Sequence, residues 1–315
     1  MSSLEVSQHI KQRAHEMGFA ACGIAPASPG ETHGHLLDWL MNGYNASMRW
    51  MARPDAVEKR GDLQKVLPGA RSVICVALHY RTDAEWDDAT HGKVARYARG
   101  VDYHDVLTPR LRELQTWIQE RWPCNGRVYV DTGPLLEREL ARRAGIGWVG
   151  KNTMLLSREL GSYFLLGEIV LDLELSYDQP HSTSFCGSCT RCLDACPTDA
   201  FVAPFVLDAN KCISFHTIEN REGAPREQKE KFGDWVFGCD ICQEVCPWNH
   251  KSEVKSAEPE LWERAEFPGL QEFIALPQEE FSRRLKGSPL KRPKRRGMKR
   301  NALTVLQNRK RQKAE

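Results

Sequence analysis

The sequence reads as an α+β protein in three parts: a mixed domain over 1–178, a cysteine-rich module over 179–250, and a helical, basic segment over 251–315. Three observations lead to that division. Short β-branched runs alternate with stretches of helical periodicity up to about residue 178. Eight cysteines then crowd between Cys186 and Cys246. Positive charge gathers at the end: Phe281 to Glu315 holds 14 Lys or Arg and one acidic residue, leaving 30 basic and 41 acidic residues before it.

The elements follow in order. Ser2-x-x-Glu5 makes a capping-box pattern ahead of a helix whose apolar face is Val6, Ile10, Ala14 and Met17, with Gly18 to end it. Phe19 to Ala25 reads as a strand and His35 to Met41 as a helix closed near Gly43. Arg71 to His79 is a β-branched run that predicts a buried strand. Asp102 to Trp122 carries Leu107, Leu111, Leu114 and Ile118 at helical spacing, and Arg127 to Asp131 is a further short strand. Pro134 stands where helices favour their first residue, so a helix is expected from there to about Ala144. Tyr163 to Leu175 reads as a long apolar strand, and Asp178 to Ser184 as a polar linker.

Composition narrows the class. A hydrophobic fraction of 41% suffices for a sizeable core. No run of about 18 apolar residues predicts a membrane helix, and the N-terminus lacks a basic-then-apolar signal pattern. The expectation is a soluble, cytoplasmic monomer. An acidic body with a basic end suits a polyanionic partner.

The cysteines carry the chemistry. Cys186, Cys189, Cys192 and Cys196-Pro197 form C-x2-C-x2-C-x3-C-P, the spacing that binds cubane iron–sulfur clusters in bacterial ferredoxins. Cys239, Cys242 and Cys246-Pro247 repeat the run with one cysteine missing, and Cys212 can supply it. Eight thiolates suffice for two [4Fe–4S] clusters. In two-cluster ferredoxins the last cysteine of a run ligates the other cluster. The expected sets are therefore Cys186, Cys189, Cys192 and Cys246 for one cluster, and Cys196, Cys212, Cys239 and Cys242 for the other. Zinc would also accept C-x2-C pairs, but it needs four ligands and leaves two Cys-Pro ends without a purpose. A disulfide framework lacks any sign of export to favour it. Cys22, Cys75 and Cys124 sit in or beside apolar contexts and read as core thiols.

Two further stretches bear on function. Asp131-Thr-Gly-Pro134 joins a strand to a helix, where an aspartate can be a helix cap or, if desolvated, a proton donor. Gly145-x-Gly147-x-x-Gly150 imitates a dinucleotide fingerprint but follows a helix rather than a strand, so it reads as a loop with close backbone approach to a ligand. Arg96 to His104 is dense in polar and aromatic groups and fits either a polar cofactor or a solvated helix start.

Together these stretches resemble the epoxyqueuosine reductase family. The matching segments are Glu58-Lys-Arg60, Ala98-Arg-Gly-Val-Asp-Tyr-His-Asp105, Val130-Asp-Thr-Gly133, Arg143-Ala-Gly-Ile-Gly147, Lys151-Asn152, Gly161-Ser-Tyr163, Lys211-Cys-Ile-Ser-Phe215 and both cysteine runs. The resemblance spans roughly residues 55 to 250. It implies a cobalamin-binding α/β N-terminal domain related to reductive dehalogenases and nitroreductase-like folds, followed by a ferredoxin-like domain. It implies reduction of epoxyqueuosine in the tRNA wobble position, with electrons from a donor such as a flavodoxin or ferredoxin. Asp131 matches the family's proton donor. Arg60, Tyr97, Asn152, Ser162 and Ser214 fall in segments that line the cobalamin. The corrinoid motif Asp-x-His-x-x-Gly is missing here, as in the family. Longer members end in a HEAT-like helical domain, whose start alone is matched near Met298 to Leu306. Another corrinoid reductase, such as a dehalogenase, or a ferredoxin-like electron carrier are the competing readings. The basic end argues against both, since neither needs a polyanion.

Overall fold

A four-stranded antiparallel sheet organises the first domain in the computed structural model, which describes residues 1–263 and 266–314. Its strands are β1 (Ala21–Pro26), β2 (Ser72–His79), β3 (Gly126–Tyr129) and β4 (Phe164–Leu171), in the spatial order β1-β2-β4-β3. β2 is buried along its whole length, because both faces of the sheet are covered. Alternate residues serve alternate faces. Ile74, Val76, Leu78, Ile169 and Leu171 meet α1 (Ser3–Glu16) and α2 (Tyr103–Arg121) on one side. Val73, Cys75, Ala77 and Val170 meet α3 (Glu137–Arg143) and the segment 63–70 on the other. The end of α3 presses on β1 so closely that a Cβ on Gly23 would lie 2.0 Å from the Ala144 carbonyl oxygen.

Local signals explain the helix ends. Ser2 and Glu5 form the capping box that opens α1, and Gly18 follows its close at φ +86°. Asp102 caps α2 by accepting the backbone N–H of His104. The long apolar run after Tyr163 stops being strand at Leu171. Asp172 there takes both the backbone N–H and the side-chain amide of Asn125, at 2.8 and 2.7 Å.

Two expectations change, and the helical basic end proves to be part of the core. The helix predicted from Pro134 begins only at Glu137, and Pro134 lies in the loop before it. The reason is that Asp131 adopts φ +55° and its backbone N–H is taken by the Glu137 carboxylate at 2.7 Å, which folds the 131–137 segment back on itself. The glycines at 145, 147 and 150 approach protein rather than ligand. Cβ atoms on Gly145 and Gly147 would lie 2.9 Å from the Gln179 carbonyl and 2.0 Å from that of Leu156. The basic end is folded: in α4 (Lys294–Gln312), Met298, Ala302 and Val305 are fully buried against Val236, Phe237, Leu270 and Phe273. That core reaches back to Val94 and Ala98 of the first domain, so residues far apart in sequence share it.

The cysteine-rich stretch joins the sheet through a buried polar seam. Ser162 donates its hydroxyl to Gln243 at 2.8 Å and its backbone N–H to Asn249 at 2.7 Å. Asp240 accepts the Arg96 backbone N–H at 2.7 Å, and Arg81 donates to the carbonyls of Asn249 and Ser252. No helix among the described residues is long and apolar enough to cross a membrane.

Because Met298 is fully buried, Met298→Ala should cost about 2–5 kcal/mol. Urea denaturation should show a lower midpoint with an unchanged slope. Removal of residues 291 to 315 strips away a core helix and should unfold more than the tail.

Candidate active site

Asp131 stands exposed at the start of the loop that leaves β3. It caps no helix, since α3 starts six residues later. Its carboxylate instead accepts the Tyr103 hydroxyl at 2.8 Å through Oδ2. His104 Nε2 lies 3.9 Å from the same oxygen, and its other ring nitrogen holds Asp102 at 2.8 Å. The rings of Tyr103 and His104 stack at 4.2 Å, and Tyr97 meets Tyr103 edge-on at 5.9 Å. α2 makes this geometry: Asp102 is its cap, and Tyr103 and His104 are its first two residues.

The electrostatics follow from these neighbours. The Asp102 hydrogen bond raises the His104 imidazole above its ordinary value, against the cost of burial. Burial raises the Tyr103 phenol well beyond its usual range, and Asp131 pushes the same way. Asp131 thus faces a phenol that keeps its proton and an imidazole that holds its proton more tightly than usual. Arg292, from the basic C-terminal segment, feels Asp131 and Tyr103, pairs with Glu219 at 2.8 Å and lies over Trp50 at 5.5 Å.

The other candidate residues divide in two. Arg60 is half-buried, its charge is felt by Glu137, and its Nη1 is buried without a hydrogen-bond partner. Such an orphaned donor, together with the unpartnered Nε2 of His104 and the Tyr97–Tyr103 wall, suits a large polar ligand. Asn152 is 3% exposed and donates to the Cys242 carbonyl at 3.3 Å. Ser214 presents its N–H and hydroxyl to the Cys212 thiol. Ser162 belongs to the seam with Gln243 and Asn249. Arg60, Tyr97 and Asp131 thus flank the proton-bearing end, and Asn152, Ser162 and Ser214 the cysteine end.

No disulfide links any of the eleven cysteines. Cys75 is buried in the sheet, whereas Cys22 and Cys124 are partly exposed. The eight of the module fall into two neighbourhoods. Burial pushes Cys192 up to about 11, with Cys186, Cys246 and Cys189 adding to it. Burial also raises Cys246, and Cys186 and Cys189 act on it too. Cys212 is raised by burial with Cys196 beside it, and Cys239 by burial with Cys212 and Cys196. Cys242 is raised most by burial, then by Cys239 and Cys212, with Cys192 beyond. A thiolate at such a buried position is stabilised by a metal centre, and an iron–sulfur cluster supplies one. Among the described residues no three His, Cys, Asp or Glu side chains converge on a single-ion site. The thiolates of a cube bind separate irons and need not converge.

Comparison with known proteins is decisive for the family. A family model described as a 4Fe-4S double cluster binding domain matches residues 185–249, and one described as Epoxyqueuosine reductase QueG, DUF1730 matches residues 60–132. The chain is 46% identical over 295 residues to the epoxyqueuosine reductase of Synechocystis sp., covering 90% of this chain and all of that one. The chain belongs to the epoxyqueuosine reductase family. The Gloeobacter violaceus epoxyqueuosine reductase is 45% identical over 309 residues, 94% of each chain. A crystal structure of an epoxyqueuosine reductase with an epoxyqueuosine-modified tRNA-Tyr stem loop superposes with TM-score 0.90 at 33% identity, over 98% of this chain and 82% of that one. A Bacillus subtilis epoxyqueuosine reductase with its catalytic aspartate loop swung out of the active site gives 0.88 at 32%, with the same coverage.

Sequence reasoning singles out Asp131 but not the groups that touch it. Tyr103 and His104 are visible there only as part of a polar stretch. Glu137 falls inside an expected helix, and Arg292 inside a basic run. For Glu168 the signal available is an acidic residue interrupting a buried-strand pattern.

His104 offers a direct check. Its raised imidazole contributes stability that is present below the ordinary value of about 6.5 and is lost as pH rises through the raised value. Asp102→Asn should return the His104 titration toward 6.5 by NMR and remove that acid-side advantage in thermal melts.

Proposed function

We propose that this chain reduces epoxyqueuosine to queuosine in the wobble position of tRNA, using two [4Fe–4S] clusters and cobalamin. The observation that carries the reading is 46% identity along nearly the whole chain to an epoxyqueuosine reductase. The relative bound to a modified tRNA stem loop matches 98% of this chain, which supports the same RNA partner here.

The reaction converts an epoxide to an alkene with two electrons and two protons, and the oxygen leaves as water. When bound, the clusters and cobalamin supply the electrons and the cobalt centre that opens the epoxide. Cys186, Cys189, Cys192 and Cys246 would hold one cluster, and Cys196, Cys212, Cys239 and Cys242 the other. The two thiol neighbourhoods support that crossed pairing. Residues 186–194 include several exposed positions, so a flavodoxin or ferredoxin donor would meet the first set. Arg60, Tyr97, Asn152 and Ser214 would line the cobalamin, with Ser162 fixing the seam beside them.

Asp131 delivers a proton to the departing oxygen. Tyr103 occupies its Oδ2, which leaves Oδ1 free to face substrate. His104, whose imidazole holds its proton more tightly than usual, stands 3.9 Å away and can return a proton to the carboxylate. A mobile Asp131 loop agrees with the Bacillus subtilis relative, whose aspartate loop is seen swung out.

The tail divides its charges between the fold and a ligand. Arg295, Arg300, Arg309 and Arg311 bond to the protein. Lys294, Arg296 and Lys299 lie on the same helix and would meet anticodon-stem phosphates. Such interactions position RNA without reading sequence.

Anaerobically prepared protein should contain about eight irons per chain, and Cys246→Ala should damage the cluster of the first run. Stoichiometric zinc by elemental analysis would reject the clusters. Asp131→Asn should keep cofactors while losing about 10²–10⁴-fold in turnover, measured as queuosine formed in modified tRNA. Replacing Lys294, Arg296 and Lys299 by Gln should flatten the log–log salt dependence of tRNA binding by roughly 0.7–0.9 for each phosphate no longer neutralised. An unchanged slope would move the RNA surface elsewhere.

A further inference from the structure

Glu168 is the most anomalous residue of the sheet. It sits in the middle of β4, opposite Cys75 of β2 on one side and Tyr129 of β3 on the other. It is fully buried, and neither carboxyl oxygen has a hydrogen-bond donor among the described residues. Its strongest charged neighbour is Glu137. Glu137 in turn accepts the backbone N–H of Asp131, and keeps an edge toward solvent. Two ionised carboxyls can only accept, so their approach becomes a bond only if one of them holds a proton.

We propose that Glu137 and Glu168 form a one-proton carboxyl pair that latches the Asp131 loop. Glu168 carries the proton and donates it to Glu137, and Glu137, left ionised, grips the Asp131 N–H. The pair thereby holds Asp131 in its left-handed backbone conformation, φ +55°, which a residue with a side chain rarely adopts unaided. These are positioning residues, and the role rests on the reading of Asp131 as proton donor.

The surroundings favour a single charge. Burial raises the Glu168 carboxyl well above its ordinary value, and burial raises Glu137 to about 7, with Asp131 adding to both. Arg138 and Arg60 supply the cationic charge felt by Glu137. Arg143 acts on neighbouring Cys75, itself a raised and neutral thiol, but is committed to the carbonyls of Pro26 and Ser28. Tyr129 flanks Glu168 across the ladder. One negative charge can be balanced here, whereas a second would sit on the fully buried Glu168 with no donor among the described residues to meet it. The upper proton loss belongs to the pair rather than to either residue. The latch is closed while that proton is bound and opens as pH rises through its loss.

The test uses cluster-loaded, full-length protein. Infrared spectra should show a protonated carboxyl at pH 7 that Glu168→Gln abolishes and that Glu137→Gln, a change at the solvent-facing edge, shifts. Thermal melts give an independent reading. The wild type should lose stability as pH rises above the ordinary carboxyl range, because the folded state binds the extra proton, and Glu168→Gln should not show that loss. Glu168→Ala should lower turnover by about 10²-fold through loss of loop geometry. Glu168→Gln, which keeps a donor toward Glu137, should recover most of it and remove the alkaline fall. A carboxyl band indifferent to both Gln variants overturns the pair. Equal losses in Glu168→Ala and Glu168→Gln reduce Glu168 to core filling. Normal turnover in Asp131→Asn would instead sink the acid reading and leave the infrared band in place, so the two failures are distinct.

Discussion

The structure depends on the polar seam between the sheet and the cysteine-rich module. Ser162, Gln243 and Asn249 are each at most 5% exposed and exchange hydrogen bonds. Asp240, beside Cys239, takes the Arg96 backbone N–H. A buried polar network of this kind is costly if half-made and specific when complete. Here it fixes the cysteine runs relative to the Tyr97–Asp131 end. Electron transfer falls steeply with distance, so a joint that slid by a few ångströms would disconnect the two ends. An apolar seam would have permitted such sliding, since packing alone tolerates many registers.

A second constraint acts at the loop after β3. The chain there leaves the sheet, turns through a left-handed residue and re-enters regular structure only at Glu137. Tyr103 and His104 approach from a different element and meet the carboxylate that this turn presents. The Asp131 carboxylate is thus presented by a left-handed turn held between α2 and α3. A left-handed aspartate is strained, and the Glu137 bond to its N–H is what holds the turn.

Much of the fold is legible in the sequence where a local signal coincides with tertiary need. The capping box of α1, the apolar face of α2 and the unbroken run of β2 each carry their own instruction. The cysteine spacing is equally plain, because cluster geometry imposes it on the chain. What escapes is decided by side chains reaching across sequence. Pro134 looks like a helix start, and nothing nearby reveals that Glu137 is recruited to bond Asp131 instead. Gly145 and Gly147 advertise a close approach but not its partner, which is protein backbone. The basic end reads as a helix with a short apolar run, and what the sequence does not show is its partner, the Val236, Phe237, Leu270 and Phe273 core that Met298, Ala302 and Val305 fill.

The contrast within α3 separates structural from functional burial. Glu139 and Arg143 lie one turn apart, each 4% exposed, and their needs are met: Glu139 takes the N–H groups of Glu31 and Thr32, and Arg143 donates to Pro26 and Ser28. Their charges oppose each other at 3.6 Å. At the start of the same helix Glu137 faces Glu168, a like-charged neighbour whose oxygens have no donor among the described residues. An uncompensated buried carboxylate costs several kcal/mol, which an apolar residue in mid-strand would avoid. One helix therefore satisfies one acidic residue completely and sets another against a group of its own charge. That second contact is the one that reaches, through Glu137, to the backbone of Asp131. Protonation removes the charge of Glu168 without removing the group, and so leaves the sheet stable while making the loop above it answer to a single proton.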